Sequence, residues 1–132
     1  NGFFYKTADN TLHISLDAPD LGHTTFAIQS GPYFTPDTIL KIRDDEYARR
    51  MVVAQDTEGR FYFIAITDAE HLNSGPLLGD LPKIVSSLEN SQLSIRNSQF
   101  LNLDGGAASA FYATTSAKLQ ELVAIGSMVC GR

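Results

Sequence analysis

A carboxylate followed by two glycines, closing a short apolar run, is the feature of this chain best suited to chemistry. The stretch is Phe100-Leu101-Asn102-Leu103-Asp104-Gly105-Gly106-Ala107-Ala108-Ser109. Phe100, Leu101 and Leu103 around Asn102 predict a strand buried on at least one face. Asp104 then stands at the strand end, ahead of backbone free to take positive φ and to let a ligand come close. Ala107, Ala108 and Ser109 add little bulk. The same residues also suit a tight turn in which Asp104 caps its own backbone, and the decapeptide alone leaves both readings open. Asn1, Gln29, Ser30 and Arg50 are further polar residues at expected strand ends or corners. Arg50 immediately precedes an apolar run, where an arginine offers a two-pronged fork to phosphate or carboxylate. A strand-edge arginine that deters edge pairing would stand in the same kind of place.

Other chemistries find little footing. No serine sits in a G-x-S-x-G elbow. Gly105-Gly106 lacks the three-glycine spacing and following helix of a dinucleotide site. Zinc motifs are missing, and His13 and His23 have no second ligand at metal-like spacing, so both are read as solvated or loop histidines and not as ligands. Asp104 with backbone carbonyls is a Ca²⁺ candidate, but no further carboxylates stand near it in sequence to complete a shell. No cofactor is expected.

The elements that must position these residues follow from hydropathy patterning. Phe3, Phe4 and Tyr5 suit a strand or a buried plug. Leu12, Ile14 and Leu16 alternate with polar residues as a short exposed strand, and Thr24–Gln29 form another, broken by Ser30-Gly31-Pro32. Arg43-Asp44-Asp45-Glu46 reads as a solvated charge run. Arg49-Arg50 opens a hairpin: Met51–Asp56, a Thr57-Glu58-Gly59 turn, and Arg60–Thr67. The near-continuous apolar run 61–66 suggests a central strand covered on both faces. Asp80 is a candidate N-cap for a helix with Pro82 in its first turn. Leu81, Ile84, Val85 and Leu88 make one apolar stripe, with Asn90-Ser91 ending the helix. Ala110–Thr114 reads as a strand, Lys118–Val123 as helix or strand, and Gly126–Val129 as a closing strand. The expected fold is α+β: a mixed, mainly antiparallel sheet with one or two helices packed on it, in a single domain over residues 1–132.

Composition sets the outer bounds. The chain has 132 residues, 43% of them hydrophobic and 19% charged, which is globular. A net charge of −5 without a Lys/Arg block makes nucleic acid a poor partner. No apolar run approaches the roughly 18 residues that span a bilayer. Cys130 is alone, so no internal disulfide framework is expected. The chain opens at Asn1 without an initiator Met, which suggests a processed or excised product.

Asn102-Leu103-Asp104-Gly105-Gly106, followed by small residues and Ser109, resembles the N-L-D-G-G signature of the phosphodiester glycosidase family. That family includes the lysosomal "uncovering" enzyme, an N-acetylglucosamine-1-phosphodiester α-N-acetylglucosaminidase. Asn1-Gly2-Phe3-Phe4 resembles its N-G-G-[YF]-F segment, and Gln29-Ser30-Gly31-Pro32 its [QS]-x-G-P segment. Arg50 and the strand after it resemble its R-T-x-[VI]-G strand and hairpin. The motifs keep the family's order along nearly the whole chain. Met51 and Ala54 replace the usual Thr and Gly, and Ala107 and Ala108 stand where Gly and Ser are common.

The resemblance implies a hydrolase that cleaves a sugar-1-phosphodiester at the anomeric C–O bond. Asp104 and Arg50 would be catalytic. Asn1, Gly2, Gln29, Ser30, Gly31, Asn102, Gly105, Gly106 and Ser109 would bind substrate. It further implies an exported protein (periplasmic, extracellular or lysosome-like) and the C-terminal portion of a larger domain. An upstream fragment or another chain would then complete the sheet. The replaced small residues keep open a glycan- or cell-wall-binding module without catalysis. A structural domain pairing with another chain through exposed Phe3, Phe4 and Tyr5 is the third reading.

Overall fold

The computed structural model describes residues 1–88, 98–114, 118–123 and 129–130. The fold is α+β, and every strand pairing among the described residues is antiparallel. β1 (Gly2–Thr7) lies between β2 (Leu12–Ser15) and β3 (Thr24–Ser30) in a three-stranded sheet. The β1–β2 turn closes through Asn10 at φ 74°, a left-handed position that asparagine tolerates. A second sheet has four strands in the order β4 (Tyr33–Phe34), β7 (Gln99–Gly105), β5 (Arg50–Gln55) and β6 (Phe61–Ile66). β8 (Phe111–Tyr112) and β9 (Lys118–Leu119) make a small third ladder, which assigns the ambiguous 118–123 segment to a strand followed by a bend.

The four-stranded sheet is the middle layer. On one face Val52, Ala54, Phe34 and Phe100 pack with Leu81 and Val85 of α1 (Leu81–Leu88). On the other, Val53 and Leu101 pack with Phe4 and Ile14 of the three-stranded sheet. Alternation along β5 and β7 therefore serves two cores at once, which is why consecutive apolar residues stand in each, Met51–Ala54 in β5 and Phe100–Leu101 in β7. The Phe34 and Phe100 rings stack at 5.3 Å, and Phe4 meets Phe26 edge-on at 5.5 Å.

Several expectations need correction. Phe4 is 1% exposed at the centre of the second core, so it is not available to another chain. The run 61–66 is an edge strand and not a central one; the strands covered on both faces are β5 and β7. Hydrophobicity alone does not order a sheet, because each strand's neighbours come from elsewhere in the chain. Asp80 belongs to a 3₁₀ turn, Leu78–Asp80, that runs directly into α1. Within the charge run, Asp45 is not simply solvated. Its carboxylate accepts from the Leu78 and Gly79 amides at 2.9 and 2.7 Å, pinning the loop to that turn. The expected helix end at 90–91 and most of the closing strand at 126–129 lie outside the described residues.

Candidate functional site

β7 carries the predicted corner, and its shape comes from a bulge. Val52 of β5 opposes Asn102 while Met51 opposes Asp104, so Leu103 is an extra residue on β7. Beyond it, Gly105 opposes Arg50. A Cβ on Gly105 would fall 2.9 Å from Arg50 Nη1 and 3.2 Å from the Arg49 carbonyl. The missing side chain thus lets the guanidinium lie against the strand. Gly106 has φ +84°, where an L side chain is strained. The two glycines have different jobs: close approach, then reversal of the chain.

Arg50 is 9% exposed and stands on an interior strand, which rules out the edge-guarding role. Its Nε donates to the Pro76 carbonyl at 3.3 Å and its Nη2 to the Glu46 carbonyl. Asp45 Oδ1 lies 3.6 Å from Nη2. Burial works to raise the Asp45 pKa. The Gly79 and Leu78 amides and the Arg50 charge outweigh it and hold the carboxyl below its ordinary value. Two of the guanidinium's nitrogens are therefore spent on protein. Nη1, beside Gly105, has no acceptor among the described residues.

The amino-terminal motif and the Gly-Pro motif reach the same end of the sheets. Gly2 pairs with Ser30, and Ser30 Oγ donates to the Leu103 carbonyl at 2.9 Å. Asn102 donates its amide N–H to the Pro32 carbonyl and its Nδ2 to the Gly31 carbonyl, both at 3.0 Å. Asn1 lies against Gly31, where a Cβ would come 2.5 Å from Asn1 Oδ1. Gly31–Pro32 is a cis peptide. Asn102 Oδ1 and Ser109 Oγ are buried and find no hydrogen-bond partner among the described residues, an arrangement that costs about 1–3 kcal/mol per group unless something pairs with it.

Not every predicted residue joins this cluster. Gln29 is exposed and alternates with Ser30, so its side chain leaves the outer face of the three-stranded sheet. Asp104 is exposed, and its Oδ1 accepts from the Gly105 amide at 2.7 Å, the self-capping turn that its sequence also allowed. Opposing Met51, it leaves the sheet on the face opposite to Arg50. The two groups share a strand end but not a face.

Comparison with family models, curated proteins and solved structures finds no match to this chain.

One residue central to the corner was missed from sequence. Arg49 is 1% exposed, and its guanidinium holds three carbonyls: Gly106 at 2.9 Å, Ala107 at 2.9 Å and Gln120 at 2.6 Å. The Gly106 amide returns a bond to the Arg49 carbonyl at 3.1 Å. The signal was available. Consecutive residues entering a doubly covered strand face opposite layers, so Arg49 and Arg50 had to be placed separately. Among the described residues no group of three or more His, Cys, Asp or Glu side chains is gathered as a metal site. A shallow groove of about 460 Å³ lies elsewhere, between residues 36–40 and the start of α1, and no predicted site residue lines it.

Proposed function

We propose that the chain is the catalytic part of a glycosidase that hydrolyses a sugar-1-phosphodiester at the anomeric C–O bond. The observation that carries this reading is the meeting of separated segments at one strand end. Asn1–Gly2, Ser30–Pro32 and Asn102 are tied by hydrogen bonds, and Arg50 reaches the same end through Gly105. In this reading Arg50 Nη1 and its charge hold the phosphate, which leaves as a phosphomonoester. Charge neutralisation matters more than protonation for such a leaving group. Asn1 and the unpaired Asn102 Oδ1 take sugar hydroxyls. Asp104 activates water or steadies the positive charge that develops on the sugar. Because Asp104 and Arg50 leave on opposite faces, the substrate straddles the ends of β5 and β7.

The test is release of N-acetylglucosamine from an N-acetylglucosamine-1-phosphodiester by wild type, Asp104→Asn and Arg50→Ala. Each substitution is expected to lower kcat/KM by about 10²–10⁴-fold, the range of one acid–base group or one charge-stabilising donor. Wild type that turns over no sugar phosphodiester sinks the proposal. The separation of Asp104 from Arg50 favours a second reading, a saccharide-binding module without turnover. Saccharide binding that is unchanged in Asp104→Asn, with no product formed, selects it.

A further inference from the structure

β6 is the longest apolar edge of the fold, and it carries none of the devices that keep edges apart. Phe61-Tyr62-Phe63-Ile64-Ala65-Ile66 contains no charge, proline, glycine or bulge, and among the described residues it pairs only with β5. Its faces are already in use. Tyr62, Ile64 and Ile66 pack toward α1, Phe61 toward the other core, and the Phe63 ring lies 5.9 Å from that of Phe4. Among the described residues nothing pairs with β6's outer line of backbone donors and acceptors, which another strand can take up.

The register says which strand fits. Asp56 donates its N–H to the Arg60 carbonyl, so Arg60 faces β5, and alternate residues do the same. Phe61, Phe63, Ala65 and Thr67 therefore turn their N–H and C=O groups outward. A two-fold axis at Ile64, perpendicular to the sheet, lays a second β6 antiparallel to the first. It pairs Phe63 with Ala65 and Phe61 with Thr67 of the second copy, and all four are outward-facing residues. An axis at Phe63 keeps its outward pairs inside Phe61–Ile66 but sets Glu58 of one copy opposite Asp68 of the other, and an axis at Ala65 carries Phe61 beyond Thr67 to Ala69. The Ile64 register brings Arg60 of one copy to Asp68 of the other, the first charged pair met beyond the strand ends. We propose that the protein forms a two-fold dimer through β6, joining two four-stranded sheets into one continuous sheet.

The test is the mass of the protein by sedimentation equilibrium, with Ala65→Pro and Ile64→Cys variants. A dimer is expected for wild type. Ala65→Pro removes an outward donor without touching the β5 ladder, so a monomer with unchanged circular dichroism is expected. At the axis the Ile64 Cα atoms would be about 4.5 Å apart, so Ile64→Cys in a Cys130→Ser background should oxidise to a covalent dimer. Monomeric wild type up to roughly 100 µM, the micromolar range where weak specific pairs still form, overturns the proposal. So does a dimer that survives Ala65→Pro, or a wild-type dimer whose Ile64→Cys form does not crosslink. A monomer whose edge instead takes up a strand from a different chain also overturns it.

Discussion

Asp56 anchors the turn between β5 and β6 through its buried carboxylate. It accepts from the Glu58 and Arg60 amides, the Arg60 guanidinium at 2.7 Å and the Tyr62 hydroxyl at 3.0 Å. Burial works to raise its pKa, but those donors prevail and hold it at about 2, against an ordinary 3.8. A carboxyl depressed on folding stabilises the fold fully above its unfolded pKa, and the contribution fades as pH falls toward the folded one. Stability is therefore expected to drop between pH 4 and 2 in part through this group. Asp56→Asn should lower the urea midpoint at pH 7 and flatten that drop; an unchanged acid profile would show that Asp56 is not the group responsible. The sequence marked Asp56 only as the last residue of a strand before a glycine turn. Its bonds to Glu58 and Arg60 are local and could have been anticipated from the turn chemistry. Those of Asp45 could not, because its amide partners lie thirty-odd residues away.

Elements meet at the start of β5. The 68–80 loop brings the Pro76 carbonyl to Arg50, and Gly75 packs so closely that a Cβ there would sit 2.6 Å from the Ala48 carbonyl. On the other face Arg49 binds the Gly-Gly turn and reaches to β9's end at Gln120. The hairpin β5–β6 was plain from its β-branched and aromatic strands around Gly59, which takes φ +80°. Helix α1 was plain from its apolar stripe. For the buried Arg49 the trace is fainter: its place beside Arg50 at the mouth of a doubly covered strand puts it on the other layer, but no carboxylate at a telling distance in sequence points to the carbonyls it holds. Arg49→Met keeps the bulk and removes the donors, leaving carbonyls unpaired at about 1–3 kcal/mol each if water does not reach them. The variant is expected to lose at least about 1.5 kcal/mol of stability, the low end for one charge-assisted bond. Amide exchange at Gly106, whose N–H is bonded to the Arg49 carbonyl, should accelerate beyond the global change. If exchange there rises no more than elsewhere, Arg49 supports the core in general and not the corner.

The whole molecule is three layers sharing one middle sheet, and this makes its two cores separable. Val53 lies between the sheets with Phe4, Ile14 and Leu101; Val85 lies under the helix with Val52, Phe34 and Phe100. Both valines are fully buried. Truncating either to alanine removes two methyl groups, for about 1–3 kcal/mol with the residual cavity included. Cavities on opposite faces of a sheet share no side chain, so they can interact only by shifting the backbone between them. The double variant Val53→Ala/Val85→Ala is therefore expected to be additive within about 0.5 kcal/mol. Val52→Ala/Val85→Ala opens two voids in one cluster, where neighbouring side chains relax into both, and should depart from additivity by more than that. Urea unfolding of the three singles and two doubles measures both cycles. Coupling across the sheet as large as coupling within the helix-side cluster would mean that β5 and β7 shift as flexible strands, and the strand end that gathers Asn1, Arg50 and Asn102 would then be no firmer than the loops around it.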